Sequence, residues 1–172
     1  TIAYPYCWKE CEVLDNGPLR FTAKLVYNPL VIKGDSNVVE TRVISLDKGS
    51  QLNKTVISYT DLKEVTPIVA GIVIHKENPT GYSFDSNAGY IAYADSTQNP
   101  RNNNGVIYVG AVFPASLNAA KAQLFPEAER KEHGGALGHV LGISDYEPGT
   151  EYVYYWGSGW SKYGFAADTE WT

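Results

Sequence analysis

Val38-Val39-Glu40-Thr41-Arg42-Val43-Ile44-Ser45-Leu46-Asp47 is the run that decides the fold. Successive side chains of a strand point to opposite faces. Val38, Glu40, Arg42, Ile44 and Leu46 therefore share one face, and Val39, Thr41, Val43, Ser45 and Asp47 the other. Glu40 and Arg42 stand side by side, about 7 Å apart at the backbone, within reach of an ion pair.

Working outward, β-like runs recur at Tyr4–Leu14, Leu19–Tyr27, Lys54–Thr60, Ile68–His75, Ala88–Ala94, Gly105–Phe113, Gly138–Ser144 and Glu151–Trp156. Turn clusters separate them: Asn16-Gly17-Pro18, Lys33-Gly34-Asp35, Asn78-Pro79-Thr80-Gly81, and Asn99 to Gly105. Only Ser116–Arg130 reads as helical, through good helix formers such as Ala119, Ala120, Ala122 and Leu124, and Pro126 cuts it short. This pattern predicts an all-β protein of antiparallel sheets packed as a sandwich, with one short helix. At 172 residues, without linker or repeat, it predicts a single β-sandwich domain over 1–172.

Composition excludes several functions. The 14 Lys+Arg against 19 Asp+Glu give a net charge of −5, which lacks the basic footprint of a nucleic-acid binder. No apolar run approaches the ~20 residues of a bilayer span. The 44 % hydrophobic content is too high for a disordered chain. The chain opens on Thr1 and contains no Met, which points to a processed or trimmed product.

Cys7 and Cys11 would sit roughly 13 Å apart in an extended strand, too far for a disulfide unless a local turn joins them. They read as structural or free thiols. His75 closes an apolar strand and is a candidate general acid or base. His133 and His139 flank Gly134-Gly135-Ala136-Leu137-Gly138. Their spacing is not that of a helical zinc pair, and no Cys completes a set, so no metal is expected. Phosphate-cradle and dinucleotide motifs are missing, so no cofactor is expected either. Gly157-Ser158-Gly159 is too short for a nucleophile elbow.

The 13 Tyr and 4 Trp far outnumber the 5 Phe, so most rings carry a polar edge, suited to half-buried sheet faces and to sugar-binding grooves alike. They crowd into Tyr152-Val153-Tyr154-Tyr155-Trp156-Gly157-Ser158-Gly159-Trp160-Ser161-Lys162-Tyr163-Gly164-Phe165. Such rings either pack against the C–H faces of a saccharide, with Lys162 or Arg42 meeting a carboxylate, or close the end of a sandwich.

The run Glu40 to Asn53 resembles a signature of the domain-of-unknown-function family 4861 of bacterial polysaccharide-utilisation loci. So do Ala70-Gly71-Ile72-Val73-Ile74-His75, Gly89 to Asp95, Asn104 to Gly110, and the ending Tyr-Tyr-Trp-Gly-Ser-Gly-Trp-Ser-Lys at Lys162. The resemblance implies a supersandwich like that of galactose mutarotases and a periplasmic or secreted setting. It also implies relatives about twice this length, so the chain reads as a C-terminal portion. By type and motif, His75, Glu40 and Tyr93 become the catalytic candidates. Arg42, Tyr155, Trp156, Trp160, Lys162, His133 and His139 become the substrate-binding ones.

The expectation is a carbohydrate-active protein processing a complex or acidic polysaccharide by hydrolysis or β-elimination. His75 or Tyr93 would be the base, and Arg42 or Lys162 the cation. The alternatives are a non-catalytic carbohydrate-binding module, or a structural half-sandwich whose partner is an N-terminal segment of the same protein. All three readings place an oligo- or polysaccharide, or that segment, as the partner, with no nucleic acid and no membrane span.

Overall fold

The structure, a computed structural model, describes residues 4–5, 7–96, 100–115 and 117–165. Twelve strands run along the described chain: β1 (Trp8–Asn16), β2 (Arg20–Tyr27), β3 (Leu30–Ile32), β4 (Asp35–Asp47), β5 (Leu52–Thr60), β6 (Thr66–Ile74), β7 (Tyr82–Asp85), β8 (Tyr90–Ser96), β9 (Val106–Val112), β10 (Ala119–Leu124), β11 (Gly138–Tyr146) and β12 (Tyr152–Trp160). Among the described residues, helix is confined to 3-10 turns at Pro100–Asn102 and Glu127–Glu129. None is long and apolar enough to cross a membrane. The all-β, antiparallel expectation holds.

The strands gather into two compact units. One comprises the described part of Thr1–Pro67 with Asp145–Tyr155; the other comprises Ile68–Ser144 with the described part of Trp156–Thr172. β12 contributes Tyr152–Tyr155 to the first and Trp156–Trp160 to the second.

In the first unit β1, β2, β4 and β5 follow one another in one antiparallel sheet, with the opening of β12 beyond β5 and β3 paired to β4. A tight turn after Asp47 sets the β4–β5 register, because Gly49 adopts φ +84° and Ser50 N–H donates to the Asp47 carbonyl at 3.0 Å. Glu40 therefore lies opposite Tyr59, Arg42 opposite Ile57, and Ile44 opposite Thr55. Val38, Glu40, Thr55 and Ile57 are buried on that face, as the alternation from Val38 predicts. β1 is exposed over its whole length, Cys11 included, and Cys7 just before it is exposed too; both thiols are free.

In the second unit β7, β8 and β9 form one antiparallel sheet with the end of β12, and β10, β11 and β6 form another. Ile91, Tyr93, Ala111 and Phe113 from the first sheet, with Ile74 and Val140 from the second, are buried in a sandwich-like core, whereas Tyr108 and Leu141 are buried on the opposite faces of their strands. Burial of each large apolar side chain is worth about 1.5–3 kcal/mol. The Phe113 ring lies directly over Gly142, where a Cβ would come within 2.9 Å of it. A side chain at that position would have to push the ring aside.

The helix expected over Ser116–Arg130 is not formed as such. Ala119–Leu124 is strand β10, only Glu127–Glu129 makes a 3-10 turn, and Ser116 lies outside the described residues. The reason is tertiary. A run this short before Phe125-Pro126 cannot sustain an isolated helix, and its alanines allow a full ladder with β11, from Ala119 opposite Ile143 to Leu124 opposite Gly138. Two short strands, β3 and β7, were also not expected. The first strand begins later than Tyr4, at Trp8, and Tyr6 lies outside the described residues.

The β10–β11 ladder leaves no room at its end, because a Cβ on Gly138 would overlap the Gln123 carbonyl oxygen and sit 2.7 Å from Leu124 Cα. Gly138→Ala is expected to cost about 1–3 kcal/mol in urea unfolding through overpacking against backbone. An unchanged midpoint would contradict this packing.

Candidate functional site

The first unit holds a charged cluster built by β4. Its period-2 face sets Glu40 beside Arg42, and the Arg42 Nε–H donates to Glu40 Oε1 in a very short contact. The Tyr59 hydroxyl, delivered by the opposite position on β5, donates to Glu40 Oε2 at 2.9 Å. Both carboxylate oxygens are thus engaged, and the Glu40 side chain is 2 % exposed against 26 % for Arg42. The guanidinium carbon also lies 5.1 Å from the centre of the Tyr27 ring, a cation–π contact. Tyr59 packs edge-on against Tyr146 at 4.9 Å, and its backbone N–H donates to the Tyr146 hydroxyl at 3.1 Å.

Electrostatics follow from that packing. Burial, then the Glu40 charge, pushes the Tyr59 phenol far above its ordinary value, so it stays a donor. Burial works against the Arg42 charge, but the attraction and hydrogen bond of Glu40 outweigh it and hold the guanidinium ionised. The Glu40 carboxylate faces its partners rather than solvent. Tyr155 is half-buried in the same unit.

The second unit holds a smaller constellation at the end of β6. Tyr93 is 1 % exposed, and its hydroxyl accepts the His75 backbone N–H at 3.0 Å while donating to the Asn78 carbonyl at 3.0 Å. Asp95 stands two residues beyond Tyr93 on the same face of β8, and its Oδ2 lies 2.9 Å from His75 Nδ1. His75 is therefore held twice, by its backbone and by its ring. Its side chain remains 46 % exposed against 22 % for Asp95. The carboxylate orients the ring through Nδ1 and leaves its other edge toward solvent. Tyr93 is a different case: burial raises its phenol, and its oxygen is already occupied by backbone partners.

The same unit presents the rings of β12. Trp156 and Trp160 are 39 % and 43 % exposed and share one face with Ser158, whereas Gly157 between them is buried. On the other face the Phe165 ring covers Gly159, at 2.6 Å from where a Cβ would stand. Trp160 is anchored by its indole Nε1–H, which donates to the Asn104 carbonyl at 2.7 Å. The exposed Lys162 follows in the turn that packs on Gly105, where φ is +81°.

His133 and His139 both lean on Phe125, the first stacked at 3.8 Å and the second edge-on at 5.1 Å. No group of three His, Cys, Asp or Glu among the described residues is placed to hold a metal ion. Burial, then the neighbouring His133, lowers the proton affinity of His139.

The expected residues thus fall into separate groups: Glu40 with Arg42 in one unit; His75 with Tyr93, Trp160 with Lys162, and His133 with His139 in the other. Four partners escaped the sequence reading, namely Tyr59, Asp95, Asn104 and Phe125. Two left a signal. Asp95 shares the strand face of Tyr93, and the tight turn after Asp47 places Tyr59 opposite Glu40.

The family model described as Domain of unknown function (DUF4861) matches residues 1–172, and the chain belongs to that family. No curated protein and no solved structure matches the chain.

Two outcomes follow from the geometry. Arg42→Met strands a buried carboxylate and is expected to cost about 3–5 kcal/mol in urea unfolding, while Glu40→Leu with Arg42→Met recovers most of it. Additive losses would show that the pair is not a unit. His139 binds its proton more weakly folded than unfolded, so its contribution is present above the ordinary histidine range and is lost as pH falls through the lowered folded value. Melting temperature should drop on acidification from about pH 7 to 5, and His139→Gln should drop less. Parallel profiles would contradict this.

Proposed function

We propose that this member of the DUF4861 family is a carbohydrate-active protein of polysaccharide utilisation, which holds an oligo- or polysaccharide on the exposed rings of β12. The observation that carries the reading is the pair Trp156 and Trp160, exposed on one strand face. Four residues of strand separate their backbones by roughly 13 Å, so the two indoles offer successive platforms along an extended ligand rather than one pocket. Aromatic faces pack against the C–H faces of sugars while indole and hydroxyl edges find polar partners. The Asn104 hydrogen bond holds the Trp160 ring in place before binding, which reduces the entropy lost on association. Lys162 beside it suits an acidic substituent.

Recognition stands ahead of catalysis because two of the three groups expected to move protons, Glu40 and Tyr93, are buried with their oxygens engaged. The second reading is hydrolysis or β-elimination with His75 as general base or acid, favoured by its half-exposed ring and its 2.9 Å contact with Asp95. The proposal extends to a mutarotase-like supersandwich and to a periplasmic or secreted setting, where polymeric sugars are met. The antiparallel all-β architecture agrees with the first, and the second rests on the sequence signatures alone.

Affinity electrophoresis and calorimetry on a panel of neutral and acidic polysaccharides test the reading. Trp156→Ala or Trp160→Ala is expected to weaken binding about tenfold, a loss of about 1.4 kcal/mol, with retention of the fold checked by circular dichroism. Undiminished binding by the double variant would remove the β12 face from the reading. Appearance of reducing ends or unsaturated uronate, abolished by His75→Gln with binding kept, would establish the catalytic alternative.

A further inference from the structure

The first unit carries a cleft of about 450 Å3 between the β3–β4 turn and the β5–β6 connection. That volume lies within the range of small-ligand sites. Two ion pairs cross it in opposite directions. Lys33 of the turn reaches Glu64 Oε2 at 3.3 Å and the Val65 carbonyl at 2.8 Å, and Lys63 of the connection reaches Asp35 Oδ2 at 2.8 Å. The buried Val38 belongs to the lining, and Asn37 and Asp61 add an amide and a third carboxylate.

We infer that this cleft is a second saccharide subsite, taking a neutral sugar residue. The inference rests on the saccharide reading above and deepens it by assigning a ligand class. A sugar hydroxyl both donates and accepts, and the lining supplies both roles: carboxylates accept, ammonium groups donate, and the Asn37 amide does both. Two ammonium groups against three carboxylates leave the lining at −1, which disfavours a uronate or a sulfated sugar. The same ammonium groups oppose a metal ion, and the charged walls oppose an apolar ligand. The Lys33–Glu64 pair is open to water on both sides, so a ligand displaces it at little cost, and in the second pair Lys63 is exposed while Asp35 is held by the Asn37 N–H. Lys63 and Asp35 each favour the charged state of the other, so both keep their charges near neutral pH.

Titration of the 15N-labelled chain with neutral gluco-, galacto-, xylo- and manno-oligosaccharides, and separately with oligogalacturonate, reads both sites at once. The Gly34 and Asn37 amides report the cleft, and the Trp156 and Trp160 indole N–H signals report β12. At least one neutral oligosaccharide is expected to shift the cleft amides, and oligogalacturonate to leave them in place. Asp61→Asn keeps a residue that tolerates the φ of +62° there; with Glu64→Gln as a second variant, each should weaken the cleft response about fivefold, and the indole response should persist. Cleft amides that stay still while the indoles respond, or that answer only to oligogalacturonate, would overturn the inference and spare the β12 reading. Cleft shifts without indole shifts would uphold it and remove the β12 face. Silence in both sets would overturn both.

Discussion

A carboxylate at 2 % exposure has to be answered at both oxygens, and in the first unit Glu40 is answered by Arg42 along its own strand and by Tyr59 across the ladder. Burying an ion without partners costs several kcal/mol, so this requirement constrains the whole sheet. A one-residue slip of β5 against β4 would put Ser58 or Thr60 opposite Glu40 and turn Tyr59 to the other face. The tight turn after Asp47, the Tyr59–Tyr146 contact and the Tyr27 ring over Arg42 all agree on the one register that satisfies the charge.

The same constraint sorts the chemistry. Groups whose lone pairs are used up inside the protein hold the fold, and groups left in water are available to a ligand. Glu40 and Tyr93 fall in the first class, each surrounded by its own hydrogen-bond partners. Lys162 stands in water, while Trp156, Trp160 and the His75 ring lie between the two classes, part-exposed, with the Trp160 indole N–H held by Asn104 and the His75 ring by Asp95. A chain rich in Tyr and Trp can serve both ends because each ring has an apolar body to pack and one polar atom to anchor it. Tyr146 uses that atom to secure the loop at Thr150, whereas Trp160 uses it to fix a ring that stays half in water.

Much of the fold was legible in the sequence because alternation is a local property. The run from Val38 predicts which residues of β4 share a face, of which the structure buries Val38 and Glu40 and leaves Leu46 exposed, and Glu40 beside Arg42 follows from spacing alone. The run Lys54–Thr60 falls within β5, and the expected strand at Gly138 begins where β11 begins. Ala119–Leu124 misleads because its intrinsic preference is helical and its strand state comes from β11, which lies elsewhere in the chain. Exposure was the less legible part of the site. Nothing in the alternation distinguishes a Tyr93 at 1 % exposure from a Trp160 at 43 %, since that depends on whether a second sheet covers the face. The cleft beside Lys33 was invisible for a related reason: Lys33-Gly34-Asp35 reads as a turn, and the connection it faces lies some thirty residues further on.

The most direct measurement is a crystal structure of the protein with a bound oligosaccharide drawn from the panel. The expected result is a sugar ring stacked on Trp156 or Trp160, with the Glu40–Arg42–Tyr59 hydrogen bonds unchanged. A sugar seated on Glu40, with Arg42 swung away to admit it and the indoles of β12 bare, would contradict the division between a closed charged core and an open aromatic face.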